Sequence, residues 1–195
     1  AGSFPYYCIP HFSLGMKGTI VVTNAAAPNL PPTVAITNPV SGITLSAPAS
    51  FTLTASASDS DGSIATVQFL QGATPLGSVA AAPFSMAVNN LAAGDYAFSA
   101  VASDNLGATA TNSITVHVIN AGPVAVSAPG FLSANNFQFS YTADIGLSYV
   151  VQVSTNLLDW TPLTTNTATT SPVIFSDPNA GGGAAFYRVG RLPNP

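Results

Sequence analysis

Apolar and polar residues alternate along most of this chain with the two-residue period of β-strands. Short runs rich in Val, Ile, Thr, Phe and Tyr recur between turns that contain Gly, Pro, Asn and Asp, and helical periodicity is almost absent. In the clearest run, residues 50–58, the side chains of Phe51, Leu53, Ala55 and Ala57 fall on one face. The pattern predicts an all-β protein whose strands each bury one apolar face.

Two stretches rich in Pro, Ala and Asn divide the chain into three β segments. The first stretch is a linker at residues 24–32, and the second is the tetrapeptide NAGP, which begins at Asn120. The resulting segments are residues 1–23, 33–119 and 120–195. The middle segment is predicted to hold about seven strands at a spacing of about ten residues, which is typical of an Ig-like β-sandwich. The chain is therefore predicted to carry tandem β-sandwich modules.

The two longer segments each resemble a known kind of module. Residues 56–118 resemble a bacterial Ig-like domain of secreted and surface proteins, without the Cys…Trp…Cys core of antibody domains. In the last segment, STNLLDWTPL at 154–163 and FYRV at 186–189 resemble a small fibronectin-III-like module of exported proteins from verrucomicrobial-type bacteria. These resemblances imply an exported protein, located outside a bacterial cell or on its surface.

A cysteine, a histidine and a methionine lie close together near the start of the chain, at Cys8, His11 and Met16. A strand that ends at the cysteine would deliver a thiolate, and the loop after it would bring an imidazole and a thioether back to the same metal. Soft thiolate and thioether ligands together with imidazole suit copper in a trigonal site with a long axial bond. Pro10 would stiffen this loop, and Gly15 would allow a tight turn beside Met16.

This spacing, with YYC before it and GMKGTIVV after it, resembles the copper loop of a plastocyanin-like cupredoxin. The resemblance implies that Cys8 and His11 are equatorial copper ligands and that Met16 is the axial ligand. Residues 1–23 hold only the last two strands of such a sandwich, so the site is incomplete. A further histidine ligand and the other strands would have to come from outside this chain. The alternative is that the loop is a remnant that binds no metal.

His117, the other histidine, is out of phase with the apolar positions of its predicted strand, and we interpret it as a surface or edge residue rather than a ligand. The hairpin in residues 1–23 is too small to be stable alone. It must pair with missing strands, with another chain, or with a second copy by strand addition.

Oxygen-bearing side chains occupy two loops of the middle segment, at Asp59, Asp61, Asp104 and Asn105. These two loops can lie at the same end of an Ig-like sandwich, where they could bind Ca²⁺. Asp and Asn are also good turn formers, and the full EF-hand spacing is absent. We favour the turn interpretation over a calcium site.

Composition narrows the possible functions. Only 5% of the residues are charged, against about 25% in an ordinary soluble domain, and the net charge is −4 with three cations. Nucleic acid is therefore an unsuitable partner, and no apolar run is long enough for a membrane-spanning helix. With no Glu, no G-x-S-x-G sequence and one cysteine, nothing predicts a hydrolase or an intrachain disulfide. We predict that the protein is not an enzyme.

Two functions fit these observations. The first is a structural or adhesive β-module protein of the cell surface, such as a fibre subunit or homo-oligomer whose N-terminal strands pair with another chain. The second is an exported blue-copper electron-transfer protein whose copper domain is only partly contained in this chain. We favour the first, because a weakly charged surface suits proteins that pack together or stay fixed outside the cell.

Overall fold

The computed structural model describes residues 1–7, 9–24, 27–181 and 183–194. The protein is all-β, as predicted, with strands organised in several sheets. The helix of the described residues is a short 3-10 helix, Ile9–Leu14, and none of them forms a helix long and apolar enough to cross a membrane. The chain divides into two compact units, residues 1–30 and 31–195.

The first unit is a β-hairpin. Strand β1 (Gly2–Tyr7) pairs antiparallel with β2 (Lys17–Val22), and the ladder runs without a register shift from Gly2 opposite Val22 to Tyr7 opposite Lys17. These are the two strands that the sequence predicts on either side of the Cys-His-Met loop.

One face of the hairpin is apolar and exposed. The four large side chains on this face are Phe4, Tyr6, Ile20 and Val22, and each is about half exposed, between 48% and 57%. Gly18 lies on the same face, within β2 rather than in a turn. The ring of Tyr6 lies over Gly18, within 2.8 Å of the place where a Cβ would be. The glycine therefore makes room for the aromatic ring.

The first sandwich is built from eight strands, β3 to β10. Its larger sheet has the order β4-β10-β9-β6-β7, and its smaller sheet has the order β3-β5-β8. Strand β4 pairs parallel with β10, whereas the other pairs are antiparallel. The strands are β3 Thr33–Asn38, β4 Ile43–Ser46, β5 Ala49–Ser58, β6 Ile64–Gln71, β7 Thr74–Val79, β8 Phe84–Leu91, β9 Gly94–Asp104 and β10 Thr109–Ile119.

The core of this sandwich contains sixteen buried apolar residues, all contributed by these strands or their ends. The alternation predicted for β5 is confirmed, because Phe51, Leu53 and Ala55 are buried while their neighbours are more exposed. Phe98 of β9 is fully buried, and its ring meets that of Phe51 edge to face at 5.5 Å. Because the apolar side chains of both sheets point toward each other, they form one aliphatic and aromatic core.

The second sandwich has six strands in two sheets of three, with the orders β11-β12-β15 and β14-β13-β16. Its core contains six buried apolar residues, fewer than half as many as the first. The strands are β11 Val126–Ser133, β12 Asn136–Tyr141, β13 Ser148–Ser154, β14 Thr161–Thr167, β15 Val173–Asp177 and β16 Phe186–Arg191.

Candidate functional site

The N-terminal hairpin brings the two ends of the predicted copper loop together. Tyr7 and Lys17 are opposite each other at the end of the ladder, so the two strands that flank the predicted loop are paired up to that point. Met16 directly precedes β2, and 54% of its surface is exposed. Gly15 has a φ of +78°, which favours glycine and accounts for the turn at this position. Cys8 and the side chain of His11 lie outside the described residues, so the copper ligand set stays a prediction.

His117 lies on β10, between β9 and β4, with its side chain on the outer face of the larger sheet. Its Nδ1 is 2.6 Å from Oδ1 of Asp95, the residue directly opposite on β9. The side chain is 45% exposed. His117 is therefore a surface residue in a central strand with a carboxylate partner. In the described part of the chain, no three His, Cys, Asp or Glu residues come together as a metal-binding group.

The two loops of the calcium prediction meet at one end of the first sandwich. The Asn105 Oδ1 atom accepts a hydrogen bond from the Ser63 backbone N–H at 2.9 Å, and the Asn105 N–H donates to the Ser63 carbonyl at 3.0 Å. Gly62 lies between them, and a Cβ there would force the side chains of Asn105 and Asp59 to move. The side chain of Asn105 thus joins the two loops.

The carboxylates around this contact are held in different ways. One oxygen of the buried Asp104 accepts from the N–H groups of Leu106 and Ala108, at 2.8 and 2.9 Å, and so forms its own turn. Oδ1 of Asp59 accepts a long bond of 3.4 Å from the Asp61 N–H, while Oδ2 of Asp59 is buried without a partner among the described atoms. The hydrogen bonds are those of turn formers, and calcium binding stays a prediction.

A different constellation, missed at the level of sequence, joins the two sandwiches. The Oδ1 of Asn194 accepts from the Ser46 N–H at 2.9 Å, and the Nδ2 of Asn194 donates to the Ser46 carbonyl at 2.8 Å. Thr44 of the first sandwich fills the space where a Cβ on Gly146 of the second would lie. A cleft of about 480 Å³ runs beside these contacts. Asn194 thereby fastens the end of the second sandwich to β4 of the first.

The connection between the sandwiches is also held by charged groups. The guanidinium of Arg191 donates to the Gly122 carbonyl and approaches Oδ2 of Asp144 at 3.4 Å. The same Asp144 oxygen accepts from the Gly122 N–H at 3.0 Å, so both polar groups of this glycine are engaged. The Asp144 N–H donates to the Tyr149 hydroxyl at 2.8 Å. The linker is therefore anchored to the core of the second sandwich.

Tyrosine hydroxyls tie the two sheets of the second sandwich together. Tyr141 of one sheet donates to Oδ1 of Asn166 in the other at 2.7 Å, and Tyr187 donates to Oδ2 of Asp177 across the same gap at 2.8 Å. Burial, the hydrogen bond to Asp177 and the charge of Asp177 raise the pKa of Tyr187 to about 12. Burial also raises the pKa of Tyr141. Both hydroxyls thus stay neutral donors. Tyr141 lines a groove between β14 and β15, and Tyr187 lines a second groove that also includes Leu163 and Asp177.

These features can be set beside known proteins. A family model described as a bacterial Ig domain matches residues 32–176, about three quarters of the chain. The chain belongs to the bacterial Ig domain family. The match covers the first sandwich and most of the second, and it begins after the hairpin. The predicted bacterial Ig-like module is confirmed, whereas the cupredoxin resemblance of residues 1–23 stays a prediction.

No curated protein matches this bacterial Ig chain. Among solved structures, the fibronectin(III)-like modules of CbhA from Clostridium thermocellum are 28% identical over 44% of this chain and 94% of theirs, with a TM-score of 0.41. A carbohydrate-binding module of the β-sandwich superfamily is 12% identical over 84% and 96%, with a TM-score of 0.40. The chitinase ChiA74 from Bacillus thuringiensis is 17% identical over 84% and 27%, with a TM-score of 0.33. Because these TM-scores are below 0.5, we draw no function from them.

Proposed function

We propose that this chain is a non-enzymatic structural module of the bacterial surface or extracellular space, in which the two sandwiches form one rigid spacer. The observation that carries the proposal is the Asn194 contact, in which one side chain binds both backbone groups of Ser46. Domains in one chain usually move relative to each other unless their interface is substantial. Here the C-terminal segment returns to the first sandwich and restrains that motion.

The surface chemistry supports a structural role. With 5% charged residues, the surface carries few groups that would repel a neighbouring protein or steer a charged ligand. Such a surface suits a protein that is held in place or packed among others. An adhesive contact is compatible with the same chemistry.

The hairpin supplies the contact with another chain in this proposal. An isolated two-stranded hairpin is marginal in water, and here it exposes Phe4, Tyr6 and Ile20 on one face. Both of its edges offer unpaired backbone groups within the described residues, which suits β-strand addition. A fibre or homo-oligomer would form where the hairpin of one copy completes a sheet in the next.

Rigidity of the spacer is tested by limited proteolysis of the linker and by small-angle X-ray scattering. The wild type is expected to resist cleavage at residues 120–125 and to scatter as one particle of fixed length. The Asn194→Ala variant is expected to be cleaved faster there, with Asn89→Ala, at an exposed position of β8, as the matched control. Rapid cleavage of the wild type, with freely varying distances between the sandwiches, contradicts a rigid spacer.

The hairpin contact is tested separately by deleting residues 1–23 and by the double substitution Phe4→Ser with Ile20→Ser. Both changes are expected to abolish association that depends on the hairpin, whereas Thr19→Ser, on the opposite face, is expected to preserve it. A stable monomer in which the hairpin exchanges its amide protons freely would rule out this role.

A second candidate function is copper binding by the N-terminal loop. It is favoured by the ladder of the hairpin, which holds Tyr7 and Lys17 opposite each other on either side of the predicted loop. Cys8, His11 and Met16 would hold the ion, with one further histidine from outside this chain. Copper would supply one-electron transfer, and the protein would supply the fixed loop.

Copper binding is tested by competition of the protein with a Cu(I) chelator and by the visible spectrum after addition of Cu(II). The thiolate-dependent band and the tight Cu(I) affinity are expected to disappear in Cys8→Ser and to weaken in Met16→Leu. The control His117→Ala should change neither. A colourless protein, or binding that survives Cys8→Ser, would exclude this function.

A further inference from the structure

The outer edge of β16 is open. Among the described residues, β13 is its one strand partner. The Leu192 N–H donates to the Ser148 carbonyl, and this bond fixes which residues of β16 point their backbone groups toward β13. Because the direction alternates along an antiparallel ladder, every second residue directs its N–H and C=O away from β13. The three residues with outward backbone groups are Tyr187, Val189 and Arg191.

The inner face of the sandwich is uncovered on this same side. Val126 of β11 pairs with the buried Tyr141, and Phe131 pairs with Phe137, so both side chains of β11 belong to the inner face. They are nevertheless 51% and 64% exposed. The reason is the position of β16, whose Tyr187 ring stacks on Phe137 of β12 at 4.9 Å. Since β16 lies across from β12 and ends its sheet, no described strand lies across from β11.

The other edges of the second sandwich are protected against pairing. Strand β11 contains Pro129 and two register shifts, β14 contains Pro162, and β15 is only five residues long. Prolines, irregularities and short lengths are the usual devices that prevent edge-to-edge association. Strand β16 contains no proline, its ladder has no register shift, and its inward-facing Tyr187 and Val189 are only partly buried.

We propose that a second copy of this chain docks on this edge, with the two β16 strands antiparallel about a two-fold axis at Val189. In this register Val189 faces Val189 of the second copy, and Tyr187 faces Arg191 of the second copy. All three outward residues then find partners, and each facing pair exchanges two N–H···O bonds. The sheet of each copy continues into the sheet of the other, and the added strand covers the exposed inner face of β11.

The positions of the two arginines in β16 favour this register. With the axis at Val189, Arg188 is opposite Gly190 of the second copy, and Arg191 is opposite Tyr187 of the second copy. Moving the axis to Arg188 would place two arginines directly opposite each other, which is unfavourable across strands. In the register centred on Val189, the strand thus pairs with itself without placing two arginines directly opposite each other.

The register is tested by cross-linking in a Cys8→Ser background. Directly facing residues of an antiparallel pair have Cα atoms about 5.5 Å apart, within the range of a disulfide. Val189→Cys is therefore expected to form a covalent dimer under mild oxidation, and Arg188→Cys is expected to form little. Equal cross-linking at both positions, or none at Val189, overturns the proposed register.

The edge itself is tested by sedimentation over a wide range of concentrations, because a contact of one strand gives a weak dimer. Val189→Pro removes an outward N–H and leaves the ladder with β13 intact, so this variant is expected to stay monomeric. Val189→Ala retains the N–H and is expected to dimerise, and Trp160 fluorescence checks that both variants are folded.

A wild-type protein that is monomeric at every concentration overturns the proposal, as does a dimer that survives Val189→Pro. Deletion of residues 1–23 separates this contact from the hairpin contact proposed above, since the β16 dimer should persist without the hairpin. A dimer that disappears with the hairpin and is unaffected by Val189→Pro would support the hairpin contact and exclude this one.

Discussion

The two sandwiches are both stabilised by a core between two sheets, but the residues that form the two cores differ. The first buries sixteen apolar residues between a five-stranded and a three-stranded sheet, and its core contains no tyrosine that is fully buried. The second buries six, and two of these are Tyr141 and Tyr149, whose hydroxyls take part in hydrogen bonds within the sandwich.

The difference shows that a sandwich with smaller sheets needs other contacts besides an aliphatic core to stabilise it. Three-stranded sheets cannot enclose an aliphatic core of the same size, so the second sandwich gains cohesion from aromatic rings and from polar contacts between its sheets. Hydrogen bonds depend on geometry and on protonation, whereas apolar burial does not. The second sandwich should therefore respond to pH and to the loss of single hydroxyls, and the first to the loss of apolar volume.

The largest expected effect comes from removing a ring from the first core. Phe98→Ala should lower the free energy of unfolding by about 3–5 kcal/mol, because Phe98 is fully buried against Phe51. The matched control is Phe131→Ala in the second sandwich, where the ring is 64% exposed and the cost should be below about 1 kcal/mol. Denaturant unfolding followed by circular dichroism gives both values. Equal costs would remove the distinction between the two cores.

An intermediate effect is expected from deleting a hydroxyl in the second core. Tyr141→Phe leaves Oδ1 of Asn166 without its donor in a half-buried site, and should cost about 1–2 kcal/mol. In the first sandwich, Tyr96→Phe removes only a local bond to the Ala92 carbonyl, and should cost less than about 0.5 kcal/mol. Unfolding followed by Trp160 fluorescence reports on the second sandwich, and circular dichroism reports on both. A Tyr141→Phe protein as stable as the wild type would contradict the role of the cross-sheet bond.

The pH dependence of the second sandwich should follow Tyr187. The pKa of this tyrosine is raised to about 12 in the folded protein, so its neutral form is favoured by folding. Its contribution to stability is complete below about pH 10, the ordinary pKa of tyrosine, and is lost as the pH rises toward about 12. In Tyr187→Phe the melting temperature should fall less steeply through this window. Identical pH profiles for the two proteins would show that the hydroxyl is not held as described.

The smallest effect is expected on the outer surface. The Arg188 guanidinium lies 4.2 Å from the centre of the Trp160 ring, and its Nε donates to the Gln152 side chain. Arg188→Leu should cost about 0.5–1 kcal/mol and should shift the fluorescence of Trp160, whereas Arg188→Lys should retain part of the contact. An unchanged emission spectrum in Arg188→Leu would mean that the stack does not persist in solution.

Strict apolar alternation predicts β5, where Phe51, Leu53 and Ala55 are buried as expected, but it does not locate every strand. Strand β8 is difficult to predict from sequence, although Phe84, Met86 and Val88 alternate along it, because its register shifts before Leu91, where Asn90 has a φ of +57°. Strand β11 is also difficult to predict, because it contains proline and glycine and all eight of its residues are exposed. A local apolar pattern is most regular where a strand buries one face along its whole length.

Of the contacts at the candidate sites, one could be anticipated from the sequence and one could not. The meeting of the loops around Asp59 and Asn105 could be anticipated, since both loops lie at one end of an Ig-like sandwich. The contact between Asn194 and Ser46 could not, because it joins residues 148 positions apart and neither residue stands out in its local sequence. Contacts of this kind depend on the tertiary arrangement of complete modules.

The Asn194 contact also determines how the protein would carry mechanical load. A pull applied at Asn194 reaches Ser46 directly, so the second sandwich lies outside the shortest path of tension. From Ser46 the load enters β4, which is held in shear by its parallel ladder with β10 at Ile119. The second sandwich is thus shielded from extension until the two hydrogen bonds of one asparagine break.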